Sequence, residues 1–232
     1  MLKILDTTLR DGEQTPYVNF TVEEKVEIAK SLDKIGVDMI EAGDPSVSPN
    51  VYEAIKQIAA LNLNAEIVAH SLATKAGIDK AKECGVSRVV ILYPTSDIHL
   101  KTKVFKTQEE ALEIIKEHVA YAKNKGMKVR FTPEDATRTE FNFLVEACNT
   151  AINAGADRIS VADTLGIMQP HLFYNQVKEL KKSILPCELD VHCHNDFGLA
   201  LANAMAGIRG GANCIHVTVN GLGERTGVPD IA

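Results

Sequence analysis

Two histidines one residue apart, His192 and His194, close a strand-like run that starts near Glu188. In a strand, residues i and i+2 point to the same face, so the two imidazoles stand side by side while Cys193 points away. Paired imidazoles at a strand end are ready ligands for a divalent metal. The same pair could be two ordinary polar residues at a strand tip, and the rest of the chain decides between these readings. Strand 1 leads into Asp6-Thr7-Thr8-Leu9-Arg10-Asp11-Gly12-Glu13-Gln14. If the ends of strands 1 and 7 meet, Asp11 adds a carboxylate to the imidazoles, and a carboxylate with two imidazoles leaves positions on the metal open for a substrate. Strand 2 ends in Ile40-Glu41-Ala42-Gly43, which sets Glu41 beside strand 1, placed to brace Arg10. A guanidinium so held could stabilise negative charge developing on a carbonyl oxygen. Taken alone, Arg10 and Glu41 would be a surface ion pair of little worth.

Those placements need a particular set of elements. Short β-rich runs fall at 3–7, 39–42, 65–70, 88–92, 128–132, 158–162, 189–194 and 214–219, spaced as βα units are. Helical stripes lie between them. Val22, Val26, Ala29, Leu32 and Ile35 follow Thr21, a fitting N-cap with Glu24 three residues on, and similar stripes run through 51–59, 111–122, 144–152, 173–180 and 199–208. Gly36, Gly85, Gly126 and Gly155 each separate a helix from a strand, where a left-handed cap is wanted. Eight such strands predict an α/β fold, a (β/α)8 TIM barrel. The alternative, a doubly wound open sheet, usually has fewer strands, and no G-x-G-x-x-G follows strand 1. One face of each of four strands is polar: Arg130, Thr132 and Glu134; Ser160, Ala162 and Thr164; Asp190, His192 and His194; His216, Thr218 and Asn220. Parallel sheets are covered on both sides, so these faces imply a shared polar lumen. Closure makes strands 7, 8 and 1 neighbours, and that is what carries Asp11 to His192 and His194. The chain ends at Ala232 with no eighth helix pattern. The expectation is therefore a barrel domain over 1–232 with its eighth helix missing or cut short, leaving Ile215, Val217 and Val219 open to water.

Composition narrows the function. With 232 residues, 45% of them hydrophobic and 24% charged, the chain is an ordinary globular sequence able to bury a core. A net charge of −6 without a long basic cluster argues against nucleic acid or an anionic membrane as partner. No apolar run is long enough for a bilayer, and a strand pattern begins where a signal peptide would stand. Cys84, Cys148, Cys187, Cys193 and Cys214 are scattered, with no C-x-x-C, and read as reduced thiols of a cytoplasmic protein.

Taken in order, these motifs resemble the metal-dependent TIM-barrel (DRE-TIM) family of isopropylmalate, homocitrate and citramalate synthases and hydroxymethylglutaryl-CoA lyase. Leu9-Arg10-Asp11-Gly12-Glu13-Gln14 with Lys25 matches the first synthase signature, and His192 through Gly198 with Ala200 and Ala202 matches the second. The stretches 40–43, 95–101, 132–138, 162–166 and 220–227 extend the likeness over the whole chain. The resemblance implies that Asp11, His192 and His194 ligate a divalent metal (Mg, Mn or Zn). It implies that Arg10 and Glu41 form the arginine–glutamate part of the site, and that Arg10, Gln14 and Thr164 bind a 2-oxo acid. Glu134 and Glu224 would move protons as acetyl-CoA enolises. The implied activity is an acyltransferase one, a Claisen-type condensation of acetyl-CoA with the 2-oxo acid, in a protein that is a homodimer in its full-length form.

Departures from the family pattern bear on this. The lyase branch carries a cysteine in the loop after strand 8, whereas Gly223-Glu224-Arg225-Thr226-Gly227 has none and Cys214 stands at the far end of its strand, which favours a synthase. Val228 occupies the place of an asparagine found near the metal in most members, and Val90 aligns with a histidine of many isopropylmalate synthases. Two alternatives remain: a metal-dependent acyl-CoA lyase or aldolase of the same superfamily, and a non-catalytic or split-enzyme barrel fragment.

Overall fold

A computed structural model describes residues 2–232. Eight parallel strands form a closed barrel in chain order: β1 (Lys3–Asp6), β2 (Met39–Glu41), β3 (Glu66–Leu72), β4 (Arg88–Pro94), β5 (Lys128–Glu134), β6 (Arg158–Asp163), β7 (Glu188–Cys193) and β8 (Cys214–Val217). β8 pairs with β1 in the register Leu5 to His216 and Asp6 to Val217, which closes the ring. Helices follow the first seven strands: α1 (Val22–Ile35), α2 (Pro49–Ala60), α3 (Lys75–Glu83), α4 (Gln108–Asn124), α5 (Phe141–Asn153), α6 (Pro170–Ser183) and α7 (Ala200–Gly210). The predicted (β/α)8 class is the observed one. Within the described residues β8 is followed by a 3-10 turn, Val219–Gly221, and no further helix.

Local signals account for most boundaries. Thr21 and Glu24 form the expected capping box on α1, and Thr107 with Glu110 forms a second on α4. Gly36, Gly85, Gly126 and Gly155 adopt φ of 89, 83, 75 and 111°. One helix was marked in the sequence only by its glycine stop, Gly85: α3 buries only Gly77, Ile78 and Ala81, too few apolar residues to make a stripe. At the other extreme, α7 lies so close to β7 that a Cβ on Gly207 would stand 2.7 Å from Val191 Cγ1. The small residues Ala200, Ala204 and Gly207 on α7 thus seat the strand that carries the histidine pair.

The core has two parts. Outward side chains of the strands merge with the helices into one large apolar layer, in which Cys193 is buried. Inside the barrel, Leu5, Met39, Val68, Val90 and Cys214 form a separate apolar floor. Cys214 is therefore packing, as expected, and all five cysteines are free thiols. Among the described residues no helix is long and apolar enough to cross a membrane.

The structure corrects the sequence reading at β8. Ile215 and Val217 are only 9% and 2% exposed, so the expected open seam is not found. The chain turns back after β8: Thr218 N donates to Pro229 O at 3.0 Å, Ile231 N donates to Thr218 O at 3.0 Å, and Ile231 packs against the apolar layer. The same reversal takes Asn220 off the strand into the 3-10 turn, with φ 59°.

A buried carboxyl near this seam gives a stability prediction. Burial pushes Asp6 up to about 6 from its ordinary 3.8, against the hydrogen bonds from Thr8 N (2.8 Å) and Thr8 Oγ1 (3.0 Å). A carboxyl that holds its proton more tightly when folded adds stability at low pH, and that contribution is lost as pH rises through about 6. Asp6→Asn, which keeps an acceptor for Thr8 and carries no charge, should raise the melting temperature at pH 7.5, by at most about 3 kcal/mol of stability, and leave it unchanged at acid pH near the ordinary carboxyl value. Thermal unfolding at the two pH values checks this.

Candidate active site

The carboxyl ends of the strands open into a pocket of about 900 Å³, at the upper end of the range for ligand sites. Arg10, Gln14, Glu134, Thr164, His192, His194 and Glu224 all line it. Asp11 and Glu41 lie directly behind, both fully buried. Every residue singled out from the sequence is thus drawn to one end of the barrel.

Asp11 reaches the site through a tight turn. Its N–H donates to Thr7 O at 2.8 Å, and the 3-10 turn Gly12–Gln14 follows at once. Asp11 Oδ1 accepts from Glu224 N at 2.9 Å. Oδ2 lies 2.9 Å from Arg10 Nη1 and 3.2 Å from His192 Nε2, yet makes no hydrogen bond of good geometry. His192 Nε2 and His194 Nε2 are 3.3 Å apart, and one ligand atom from each of the three residues falls within 4.8 Å of the others. Burial opposes charge on Asp11, but Arg10, and then His192 and His194, outweigh it and hold the carboxyl well below its usual range. Burial, reinforced by His192, pushes His194 down to about 3, so its ring is neutral with a lone pair to offer. A carboxylate oxygen left unpaired beside two facing imidazole nitrogens is a donor set that fits a divalent cation.

Behind these residues lies a layer of buried ion pairs. Glu41 Oε1 accepts from Arg10 Nε at 2.5 Å, and Oε2 accepts from Arg130 Nη2. Burial opposes its charge, but Arg130 and then Arg10 hold the Glu41 carboxyl well below the usual range. Arg10 is raised in turn: burial lowers it, and Glu41 and Asp11 outweigh that. The bracing of Arg10 by Glu41 is as expected, with an exposure of 18% and 0% respectively that removes the surface-pair reading. Deeper still, Arg158 donates to Asp190 Oδ1, and Asp190 Oδ2 faces His216 Nε2 at 3.3 Å. Arg130, Asp190 and His216 were visible in the sequence only as members of polar strand faces. Their alternation on β5, β7 and β8 was the signal, but a period-2 pattern does not say which residues across the lumen will pair.

The remaining predicted residues sit around the rim. Lys103 Nζ donates to both oxygens of Glu134, at 2.7 and 2.9 Å, and His99 Nδ1 lies 3.3 Å from Oε1. Lys103 comes from the helical segment after β4, and the sequence reading missed it because nothing local ties it to β5. Gln14 Oε1 accepts from Arg10 Nη1 at 3.3 Å. Thr164 Oγ1 accepts from Asp135 N at 2.9 Å, which leaves its hydroxyl proton free to donate into the pocket. Arg225 clamps the rim with donations to Asp196 and, at 2.6 Å, to Thr164 O. Val90 lies in the floor, and Leu92 is the β4 residue that lines the pocket. Val228 is buried and brings no metal-binding atom.

Because Glu41 is buried between two guanidiniums and is a direct partner of both, Glu41→Gln should cost about 3–5 kcal/mol of stability. Denaturant unfolding of the two proteins measures it, and a loss below 1 kcal/mol, about what an exposed pair is worth, would show that solvent reaches the pair.

Comparison with known proteins gives the chain its relatives. The homocitrate synthase of Saccharolobus islandicus (strain L.S.2.15) is 55% identical over 229 residues, covering 97% of this chain and 50% of that protein. The homocitrate synthase of Sulfurisphaera tokodaii is 54% identical with the same coverage. The chain thus spans about half the length of the curated relatives it matches. Solved hydroxymethylglutaryl-CoA lyases share the fold at lower identity. The Bacillus subtilis structure has a TM-score of 0.84 and 21% identity, covering 96% of this chain and 78% of that one. The Pseudomonas aeruginosa structure has a TM-score of 0.84 and 20% identity, covering 98% and 82%. The family description HMGL-like matches residues 1–232 throughout, and with its barrel, its histidine pair and its synthase relatives the chain belongs to that family.

Proposed function

We propose that this chain catalyses a metal-dependent Claisen-type condensation of acetyl-CoA with a 2-oxo acid, as a homocitrate synthase-like acyltransferase. The observation that carries this is the convergence of Asp11, His192 and His194 beside an arginine locked in place by a buried glutamate. Asp11, His192 and His194 would hold a divalent cation (Mg, Mn or Zn), which would supply a Lewis acid to polarise the keto group. The protein's own groups do the rest. Arg10, fixed on both sides by Glu41 and Asp11, presents a preorganised positive charge where the keto oxygen becomes negative. Thr164 donates its free hydroxyl proton to the 2-oxo acid, and Gln14 steadies Arg10. Glu134 and Glu224 stand at the rim as carboxylates able to take a proton from the acetyl methyl group and return one to the product. Carbon–carbon bond formation is followed by hydrolysis of the thioester, which frees coenzyme A as a thiol.

The relatives' name points to 2-oxoglutarate, a dicarboxylate, as the 2-oxo acid. The pocket supports this reading. Arg130 Nε, Thr132 Oγ1 and Ser160 Oγ are buried without partners, all in residues that line it. Such groups are costly unless paired, and a second carboxylate would pair them. The lyase or aldolase reading draws on the fold neighbours, but the loop Gly223–Gly227 has no cysteine, and burial raises the Cys193 and Cys214 thiols well above their ordinary range. The same proposal takes the full-length protein to be a homodimer.

A thiol-release assay with acetyl-CoA against pyruvate, 2-oxoisovalerate, oxaloacetate and 2-oxoglutarate tests it. Metal-dependent release with 2-oxoglutarate above the others is the expected result. Cleavage of hydroxymethylglutaryl-CoA instead would favour the lyase, and binding of metal and 2-oxo acid without turnover would make the chain a binding subunit. In an active preparation Arg10→Lys should lower kcat by about 10²–10³, because lysine lacks the planar fork, while metal content stays near normal. Asp11→Ala should lose the metal. Equal metal loss in both variants would make Arg10 a support of the metal site only.

A further inference from the structure

We propose that His216 is a positioning residue that fixes the proton of His192 on Nδ1 and so reserves His192 Nε2 for the metal, with Asp190 setting the tautomer of His216 in turn. This rests on the metal-site reading above and extends it to the residues behind His192. His192 Nε2 faces Asp11 Oδ2 at 3.2 Å, whereas His192 Nδ1 points the other way, 3.3 Å from His216 Nδ1. Two imidazole nitrogens at that distance share one proton, and which of them owns it sets both rings. His216 Nε2 lies 3.3 Å from Asp190 Oδ2 and 3.4 Å from Arg130 Nη1. A guanidinium can only donate and a carboxylate can only accept, so these two neighbours pull toward opposite tautomers.

Pairing elsewhere decides the competition. The Arg130 guanidinium is already engaged by the Glu41 carboxylate. Asp190 Oδ1 is taken by Arg158, but Oδ2 has His216 as its hydrogen-bond partner. Were Nε2 of His216 an acceptor, Asp190 Oδ2 would be a fully buried carboxylate oxygen facing a lone pair, which is more costly than leaving Arg130 Nη1 short, as Nε of the same guanidinium already is, on a cation paired through Nη2. The proton therefore sits on His216 Nε2 and is donated to Asp190. His216 Nδ1 is then the acceptor, His192 Nδ1 is the donor, and His192 Nε2 carries the lone pair. His216 and Asp190 are 2% and 0% exposed, so water does not substitute for either. Metal-bound histidines generally donate their second ring N–H to a carboxylate or carbonyl, and loss of that partner typically weakens metal binding. Here the carboxylate acts one ring further back.

The test uses the zinc-loaded protein with selectively 15N-labelled histidine, and long-range 1H–15N correlation to read which ring nitrogen is protonated. The expected result is His192 protonated on Nδ1 and His216 on Nε2. With zinc bound, a proton on His216 Nδ1 would overturn the proposal without any variant having to fold. In chelator competition, His216→Leu should weaken zinc binding by about 10–100-fold. His216→Gln, whose amide oxygen can accept from His192 Nδ1, should recover most of the affinity. An unchanged affinity in the leucine variant, or an equal loss in both, would overturn the proposal as well. Asp11→Ala separates the two levels. If zinc binding is absent or indifferent to Asp11→Ala, the metal site itself is wrong and the relay falls with it. If binding depends on Asp11 but ignores His216, the relay alone is wrong.

Discussion

Closure of the barrel between β8 and β1 is the constraint on which the site depends. Asp11 and His192 are 181 positions apart in sequence, and no local preference could bring them together. Four register pairs between β1 and β8, from Lys3 with Cys214 to Asp6 with Val217, do so. The loop leaving β8 then reaches over the junction, and its Glu224 N–H ties down Asp11 Oδ1. The grouping of Asp11 with His192 and His194 is thus a consequence of which strands are neighbours, and the turn at Gly12–Gln14 only aims the carboxylate.

Closure also creates the difficulty that the lumen must solve. A barrel interior is out of water, and burying a charge there is expensive unless it is paired. The structure deals with this in layers. The floor is apolar, from Leu5, Met39, Val68, Val90 and Cys214. Above it the charges come in paired sets, Arg158 with Asp190, and Arg10 and Arg130 with Glu41 and Asp11. Several of the polar atoms left without partners face or adjoin the pocket, among them Asp11 Oδ2, Arg130 Nε, Thr132 Oγ1 and Ser160 Oγ. Replacing buried ion pairs by well-packed apolar side chains is often neutral or stabilising, so their presence points to the site beside them: Glu41 holds Arg10, and Asp190 meets His192 through His216.

Relatives and fold neighbours divide in an instructive way. The lyases share the barrel at about one residue in five, while the synthases share more than half of their aligned residues. A barrel fold hosts many chemistries, so the shared fold alone does not assign one. The segment Gly223–Gly227 has a glutamate and an arginine that the structure uses for Asp11 and Asp196, and no thiol.

The sequence by itself determined a good deal. Strand alternation on β5 to β8, the capping box at Thr21 and the glycine stops yielded the barrel, and residues such as His192 and His194 declared their shared face because a strand's period is two. Asp11, Arg10 and Glu41 could be placed together once closure was assumed. Other features were decided only by tertiary structure. The second guanidinium on Glu41, the partnership of Lys103 with Glu134, and the line from His192 through His216 to Asp190 all join residues on different elements, and these pairings depend on side-chain reach and shared burial. The covering of Ile215 and Val217 by a chain that doubles back was hidden for the same reason. Periodicity reports which face a residue takes, but what it meets on that face is fixed by the three-dimensional closure of the chain.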